Sequence, residues 1–183
     1  MSRSALLERK TKETDIEVSL ELDGNGKAQL ELEDQFLTHM LESLSKYSSF
    51  DIKLKATGDN EHHLIEDVAI VLGMALNEAL GDKPIERIAS STVPMDDALV
   101  TVAIDLIDRP YVDIDCPDPL YHHFLRSFAM SSGMTLHVVA IRGFDPHHVV
   151  EASIKALGLA LKSAVRPRST LLSTKSKPKV RKS

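Results

Sequence analysis

The chain has 183 residues, a length that fits one domain or two small half-domains sharing a core. Its 43% hydrophobic and 27% charged residues are typical of a globular protein and argue against wholesale disorder. The net charge of -5 gives no indication of nucleic-acid binding, and no apolar run is long enough to span a membrane. The only cysteine, Cys116, excludes an intrachain disulfide, and the polar N-terminus lacks the apolar core of a signal peptide. Together these features predict a cytoplasmic protein.

The first part of the chain predicts a β-hairpin, a helix, a strand and a second helix, in that order. The predicted ranges are 16–22 and 28–32 for the hairpin strands, 34–47 for the first helix, 50–57 for the next strand and 61–80 for the second helix. The hairpin is favoured by the Asp-Gly-Asn-Gly sequence at 23–26. The second helix can be capped by Asn60 and is apolar nearly all round after Asp67, so we expect it to be buried.

The second part of the chain repeats this outline. Strands are predicted at 85–93, 99–107, 111–115 and 135–141, with a short helix at 120–130 and a last helix that begins at Asp145-Pro146. The order strand, helix, strand, helix thus occurs twice, which predicts an internal duplication. We expect an α+β fold in which two β-sheets enclose a central layer of helices. The expected divisions are a first half at 1–84, a second half at 85–175 and a basic flexible tail at 176–183.

The last helix of each half begins with the sequence H-H-x-x-E. The two motifs are His62–Glu66 and His147–Glu151, 85 residues apart. In a helix, positions i and i+4 share a face, so the first histidine of each motif lies beside the glutamate. The second histidine is turned away by about 100°. Imidazole and carboxylate together suit manganese, iron, zinc or nickel, and the absence of thiolates argues against a closed structural zinc site.

Two further histidines are candidate ligands. His39 falls within the apolar face of the first predicted helix, and His137 falls in a strand between two apolar residues. An unpaired polar group in either place would be costly. With the two motifs they make eight potential ligands, enough for two metals: His39, His62, His63, Glu66, His137, His147, His148 and Glu151. We interpret His122 and His123, which have no carboxylate at helical spacing, as surface residues.

The sequence resembles the imidazoleglycerol-phosphate dehydratase family over essentially its whole length. The matching segments are Lys12-Glu13-Thr14, Phe36-Leu37-Thr38-His39-Met40-Leu41, Gly58-Asp59, His62-His63-Leu64-Ile65-Glu66-Asp67-Val68, Gly81-Asp82-Lys83, Val93-Pro94-Met95-Asp96, Asp108-Arg109-Pro110-Tyr111, Thr135-Leu136-His137-Val138, His147-His148-Val149-Val150-Glu151-Ala152 and Ser173-Thr174-Lys175. Several blocks are weak alone, but the two histidine motifs with the ordered set between them are specific.

The resemblance implies a ribosomal protein S5 domain 2-like fold and a symmetric homo-oligomer of 24 subunits. It implies the loss of water from D-erythro-imidazole-glycerol phosphate to give imidazole-acetol phosphate, a step of histidine biosynthesis. Two Mn²⁺ ions per active site, held at subunit interfaces, are also implied. One set of ligands would draw on His39, His63 and Glu66, and the other on His62, His137, His148 and Glu151, with the place of His147 left open.

The resemblance also implies the residues that bind and convert the substrate. Glu13 is the expected acid or base, and Glu66 and Glu151 are expected to be catalytic as well as metal-binding. The substrate-binding set is Glu13, Arg87, Arg109, Lys155, Ser173 and Lys175, since guanidinium and ammonium groups can hold a phosphate. Two alternatives stay open: a dinuclear metal hydrolase that acts on a phosphorylated substrate, and a metal-dependent assembly or storage protein.

Overall fold

The structure, a computed structural model, describes residues 3–170 and Leu172. Over these residues the chain forms eight strands and four helices. The first half contains β1 (Ser4–Lys10), β2 (Thr14–Glu21), β3 (Ala28–Glu31), α1 (Gln35–Ser48), β4 (Asp51–Gly58) and α2 (Glu61–Leu80). The second half contains β5 (Ile88–Met95), β6 (Ala98–Leu106), β7 (Tyr111–Ile114), α3 (Pro119–Ser132), β8 (Met134–Arg142) and α4 (Pro146–Ala164). Ser173, Lys175 and the tail predicted at 176–183 lie outside the described residues.

The two halves have the same sheet topology. The strand order is β1-β2-β4-β3 in the first sheet and β5-β6-β8-β7 in the second. In each sheet the last strand of that order pairs in parallel with its neighbour, and the other pairs are antiparallel. This identity of order and direction confirms the predicted duplication and the α+β fold with two sheets.

The predicted β-hairpin at 16–22 and 28–32 is wrong. The strand β4 lies between β2 and β3, and β3 runs parallel to β4. The turn after β2 is tied to the start of β4 instead, because Asp51 accepts hydrogen bonds from the backbone N–H groups of Asn25 and Lys27 at 2.8 and 2.9 Å. Local alternation of apolar residues identified both strands but contains no information about which strand each one pairs with.

A one-residue bulge in β8 explains the spacing of the repeat. Val100 pairs with Ala140, whereas the preceding residue Leu99 pairs with Arg142, so Ile141 is an additional residue in β8. The equivalent pairs in the first half follow one another without interruption. Equivalent residues are therefore 84 apart before the bulge and 85 apart after it, which gives the spacing of the two histidine motifs.

The helices of the two halves pack against each other to form the middle layer. The helix α2 covers β1, β2 and β4 and crosses α3, and α4 covers β5 and β6 and crosses α1. A Cβ atom on Gly73 would lie 2.6 Å from the carbonyl oxygen of Phe128, and one on Gly158 would lie 2.8 Å from Cβ of Tyr47. Glycine at each crossing thus lets a helix of one half approach a helix of the other. No helix in the described part of the chain is long and apolar enough to cross a membrane.

Candidate metal centre

The helices α2 and α4 begin with the same kind of cap, as the sequence predicts. The side chain of Asn60 accepts the backbone N–H of His63, and the side chain of Asp145 accepts the backbone N–H of His147. Pro146 occupies the first turn of α4. A backbone N–H at this position has no hydrogen-bond partner within the helix, so proline, which lacks this group, is tolerated there. These caps fix where each helix starts, and therefore the direction in which each motif histidine points.

A first donor group joins the start of α2 to α3 and consists of His62, Glu66 and His123. The Nε2 atom of His62 lies 3.8 Å from Oε2 of Glu66, and Nε2 of His123 lies 3.0 Å from Oε1 of the same carboxylate. The two imidazole rings stack with centroids 5.2 Å apart. Of the residues that the structure describes, these three form the one group of histidine, cysteine or carboxylate donors whose atoms all lie within 4.8 Å of one another.

This first donor group fits a metal ion. The Nε2 atom of His123 is buried and has no hydrogen-bond partner among the described residues, because its approach to Glu66 does not have hydrogen-bond geometry. A metal ion between these two atoms would satisfy the imidazole nitrogen better than this poorly aligned contact does. Two imidazoles and a carboxylate are a donor set that first-row transition metals prefer. The interpretation of His123 as a surface residue is wrong, since its carboxylate partner comes from α2.

A second donor group joins the start of α4 to α1 and consists of His39, His147 and Glu151. The Nε2 atoms of His39 and His147 lie 3.4 and 3.7 Å from the two carboxylate oxygens of Glu151. His39 is the fifth residue of α1, as His123 is of α3, so the two groups are equivalent in the duplication. Each group therefore combines a motif of one half with a histidine of the other half.

The second donor group differs from the first in its surroundings. The side chain of Glu151 is 8% exposed and that of Glu66 is 34% exposed, and the ammonium group of Lys155 lies 2.7 Å from Oε1 of Glu151. Burial alone raises the pKa of Glu151, but the hydrogen bond and charge of Lys155, with a smaller contribution from His39, bring this pKa below its ordinary value. His39 itself is half exposed, so its expected place within the apolar face of α1 is wrong.

The second histidine of each motif points elsewhere and contacts carboxylates. The Nδ1 atom of His63 lies 2.8 Å from Asp59 and 3.8 Å from Glu13, and Nδ1 of His148 lies 2.5 Å from Asp97. The hydrogen bond that each histidine donates to its aspartate raises the pKa of His63 and of His148. A carboxylate on one ring nitrogen is the usual arrangement behind a metal-binding histidine, because it fixes the ring and its tautomer.

Glu13 has an equivalent in the second half. Glu13 immediately precedes β2 and Asp97 immediately precedes β6, and each lies beside the second histidine of its own half's motif. The side chain of Glu13 is 55% exposed, so its carboxylate is accessible from solvent. Of the two, Asp97 is the more firmly held, since it also accepts the backbone N–H groups of Phe144 and Asp145 at 2.5 and 3.2 Å.

Three of the expected site residues lie away from both donor groups. His137 is exposed on β8 beside the ring of Tyr111, on the opposite face of the sheet from Leu136 and Val138, which pack on the helices. The backbone N–H of Arg87 donates to Ala164 at the end of α4, and its guanidinium pairs with Asp105 at 2.7 Å. Arg109 follows β6 at this same end, and its backbone N–H donates to Gly133.

Comparison with known proteins agrees with this geometry. The sequence model of the family described as imidazoleglycerol-phosphate dehydratase matches residues 33–161. The imidazoleglycerol-phosphate dehydratase of Bacillus licheniformis is 46% identical over 176 residues, which covers 88% of this chain and 91% of the relative. That of Methanothermobacter thermautotrophicus is 44% identical over 178 residues, covering 90% and 91%.

The solved structures that resemble this chain belong to the same family. The crystal structure of the Pyrococcus furiosus enzyme in complex with (S)-C348 superposes with a TM-score of 0.83 at 37% identity, covering 92% of this chain and 98% of that one. The Staphylococcus aureus imidazoleglycerol-phosphate dehydratase gives a TM-score of 0.79 at 28% identity, covering 90% and 99%. The chain therefore belongs to the imidazoleglycerol-phosphate dehydratase family, metal-dependent hydro-lyases of histidine biosynthesis that act on a phosphorylated imidazole substrate.

Proposed function

We propose that the chain uses two Mn²⁺ ions per active site, one at each donor group. The observation that carries this proposal is the cluster of His62, Glu66 and His123, whose donor atoms all lie within 4.8 Å of one another. The metal set is His39, His62, His63, Glu66, His123, His147, His148 and Glu151. The set also includes His137, whose exposed side chain points away from the helices of its own chain and would therefore reach a metal held by a neighbouring chain.

We propose a separate role for each of three glutamates in the loss of water from the substrate. Bound Mn²⁺ supplies a Lewis acid for the substrate's imidazole ring. Glu66 and Glu151 would hold the metals and would thereby fix the position of that ring. Glu13 lies 3.8 Å from Nδ1 of His63 and is exposed, which suits an acid or base that exchanges a proton with bound substrate.

We propose that the phosphate binds to Arg87, Arg109, Lys155, Ser173 and Lys175. Of these, Arg87 and Arg109 are at the C-terminal end of α4, whereas the metal-binding motif is at its N-terminal end. The 19 residues of α4 span about 28 Å at 1.5 Å per residue, too far for one small substrate to reach within a chain. This separation supports a site shared between neighbouring chains, and the family resemblance implies that these chains form a symmetric homo-oligomer of 24 subunits.

The proposed division of the chain into two halves and its proposed cytoplasmic location rest on other features. The segment at 84–87 pairs with the end of the second half, since Ile85 bridges to Pro167 and Glu86 donates to Arg166. These contacts support a boundary between the halves close to the proposed one at 84 and 85, with Pro84 itself already paired with Arg168. The single cysteine supports a cytoplasmic location.

The test of the metal proposal is a dehydratase assay on the full chain after chelation. We expect imidazole-acetol phosphate to form from D-erythro-imidazole-glycerol phosphate only when Mn²⁺ is restored. A manganese-loaded sample that forms no product would contradict the proposal. Release of inorganic phosphate would favour the hydrolase alternative, and bound metal without turnover of any kind would favour storage.

A second experiment tests Glu13 as the acid or base. Glu13→Gln should keep metal content and assembly and lose turnover, because the change removes the proton-exchanging group and retains its shape. Glu17→Gln is the matched control, since Glu17 is an exposed glutamate on the neighbouring strand β2. Loss of assembly in the Glu13 variant would show that the residue is structural.

A further inference from the structure

The two metal-directed carboxylates are equivalent in the duplication but have different neighbours one helical turn further on. Lys155 follows Glu151 by four residues, and Ile70 follows Glu66 by four residues. The ammonium group of Lys155 lies 2.7 Å from Oε1 of Glu151. In the part of the chain that the structure describes, no lysine or arginine lies within 4.0 Å of Glu66, and the nearby Arg9 pairs with Asp67 instead.

Lys155 is held in place at Glu151 by more than this one contact. Its side chain is 15% exposed. The ammonium lies 3.3 Å from the sulfur of Met95 and 5.8 Å from the ring centroid of Tyr47, so a thioether and an aromatic ring surround the charge. A largely buried ammonium that donates to a carboxylate makes a stronger hydrogen bond than an exposed one.

The ammonium occupies the side of Glu151 that a metal in the second donor group would need. The oxygen that Lys155 contacts, Oε1, is also the oxygen nearest to His39, at 3.4 Å. A metal ion held between His39 and Glu151 would therefore compete with the ammonium for one oxygen. The first donor group contains no such competitor. Among the described residues, the ion-pair contacts of its carboxylate are with the imidazole rings of His62 and His123 alone.

We infer that Lys155 competes with metal at the second donor group, so that the two groups load in a fixed order. This inference rests on the proposed metal function. The first group binds metal first, and the second binds only as the ammonium leaves Glu151. The displaced ammonium then faces the open groove of about 490 Å³ that lies between α1 and α4 and is lined by His39, Lys46 and Tyr47. The second metal therefore binds in the same step in which the ammonium group of Lys155 is released into this groove.

The experiment is a Mn²⁺ titration of the metal-stripped full chain, with the electron paramagnetic resonance signal of free Mn²⁺ as the readout. We expect two classes of site, one Mn²⁺ per chain in each, with affinities at least about tenfold apart, which corresponds to about 1.4 kcal/mol. Glu66→Gln should remove the tighter class. Lys155→Met should tighten the weaker class at least about tenfold and leave the tighter class unchanged.

Two variants provide controls for this titration. Lys46→Met removes an exposed lysine from the same groove and should leave both classes unchanged. Ile70→Lys places a competitor beside Glu66 and should weaken the tighter class, which keeps the inference testable if Lys155→Met does not fold. Equal affinities in the unmodified chain, or an unchanged ratio in Lys155→Met, would overturn the inference. A chain that binds no Mn²⁺ at all would overturn the proposed metal function instead.

Discussion

The two halves of this molecule have the same backbone but do not work as two independent copies. Each histidine motif begins the last helix of its own half, yet its additional histidine comes from the other half: His123 for the first motif and His39 for the second. The crossings of α2 with α3 and of α1 with α4 bring these residues together. Duplication thus supplied two equivalent sets of donors, and packing between the halves completes each set.

The largest effect should come from removing either carboxylate at the centre of a donor group. Glu66→Gln and Glu151→Gln should each lower turnover on the order of a thousandfold, because a metal stabilises developing charge by several kcal/mol. Glu42→Gln, an exposed glutamate in the groove beside Glu151, is the control and should change turnover little. The measurement is kcat together with metal content. If one variant keeps full activity, the two groups are not both needed.

The next largest effect concerns the helix crossings. Gly73→Ala places a methyl group 2.6 Å from a backbone carbonyl oxygen, so we expect a loss of about 2 kcal/mol in the free energy of unfolding despite the better helix propensity of alanine. Gly158→Ala meets a side-chain carbon first, at 2.8 Å, and should cost less. Urea denaturation at a fixed protein concentration measures both changes. Met74→Ala, an exposed change in α2, is the control. An unchanged free energy of unfolding in Gly73→Ala would show that the crossing of α2 with α3 can relax around the methyl group.

A smaller effect distinguishes the carboxylates behind His63 and His148. Asp97→Asn should weaken Mn²⁺ binding by tens of fold, because Asp97 is itself held by two backbone N–H groups and rigidly orients His148. Asp59→Asn should weaken it only a few fold, since Asn60 also contacts Nδ1 of His63 at 2.7 Å. Metal titration compares the two variants. A larger loss of Mn²⁺ affinity in Asp59→Asn than in Asp97→Asn would contradict the inference that Asp97 is the more rigidly held of the two.

The smallest effect is a pH dependence at one position of the fold, where the first half has a carboxylate and the second half has a hydroxyl group. The hydrogen bonds from Lys27 and Asn25 lower the pKa of Asp51, whose equivalent in the second half is Thr135, which donates to the carbonyl of Arg109. A depressed carboxyl pKa gives stability above the unfolded pKa that is lost as pH falls through the folded pKa.

This dependence is measured on the metal-free chain. From pH 6 to pH 3, the unmodified chain should lose more stability than Asp51→Asn, by less than about 1 kcal/mol because Asp51 is near the surface. Thr135→Val should lower stability equally at both pH values, because a hydroxyl group does not titrate in this range. A pH-dependent penalty in Thr135→Val would contradict this contrast between the halves.

The sequence predicted the local parts of this structure and missed what depends on distant contacts. Helix starts at Asn60 and Asp145 were predictable, because caps act on their own helix. The pairing of β3 with β4 was not, since strand order depends on the whole sheet. His123 was missed because its partner Glu66 is 57 residues earlier in the chain. A signal for it did exist: both His39 and His123 follow an aspartate cap by five residues.

The most direct test of the account is the metal content of two histidine variants, measured after Mn²⁺ reconstitution and removal of free metal. His123→Ala should lose the metal of the first donor group and retain that of the second, because His123 belongs to the group that contains Glu66. His122→Ala should retain both metals, because His122 belongs to neither donor group. Full retention of metal in His123→Ala, or an equal loss in His122→Ala, would contradict the assembly of each centre from both halves.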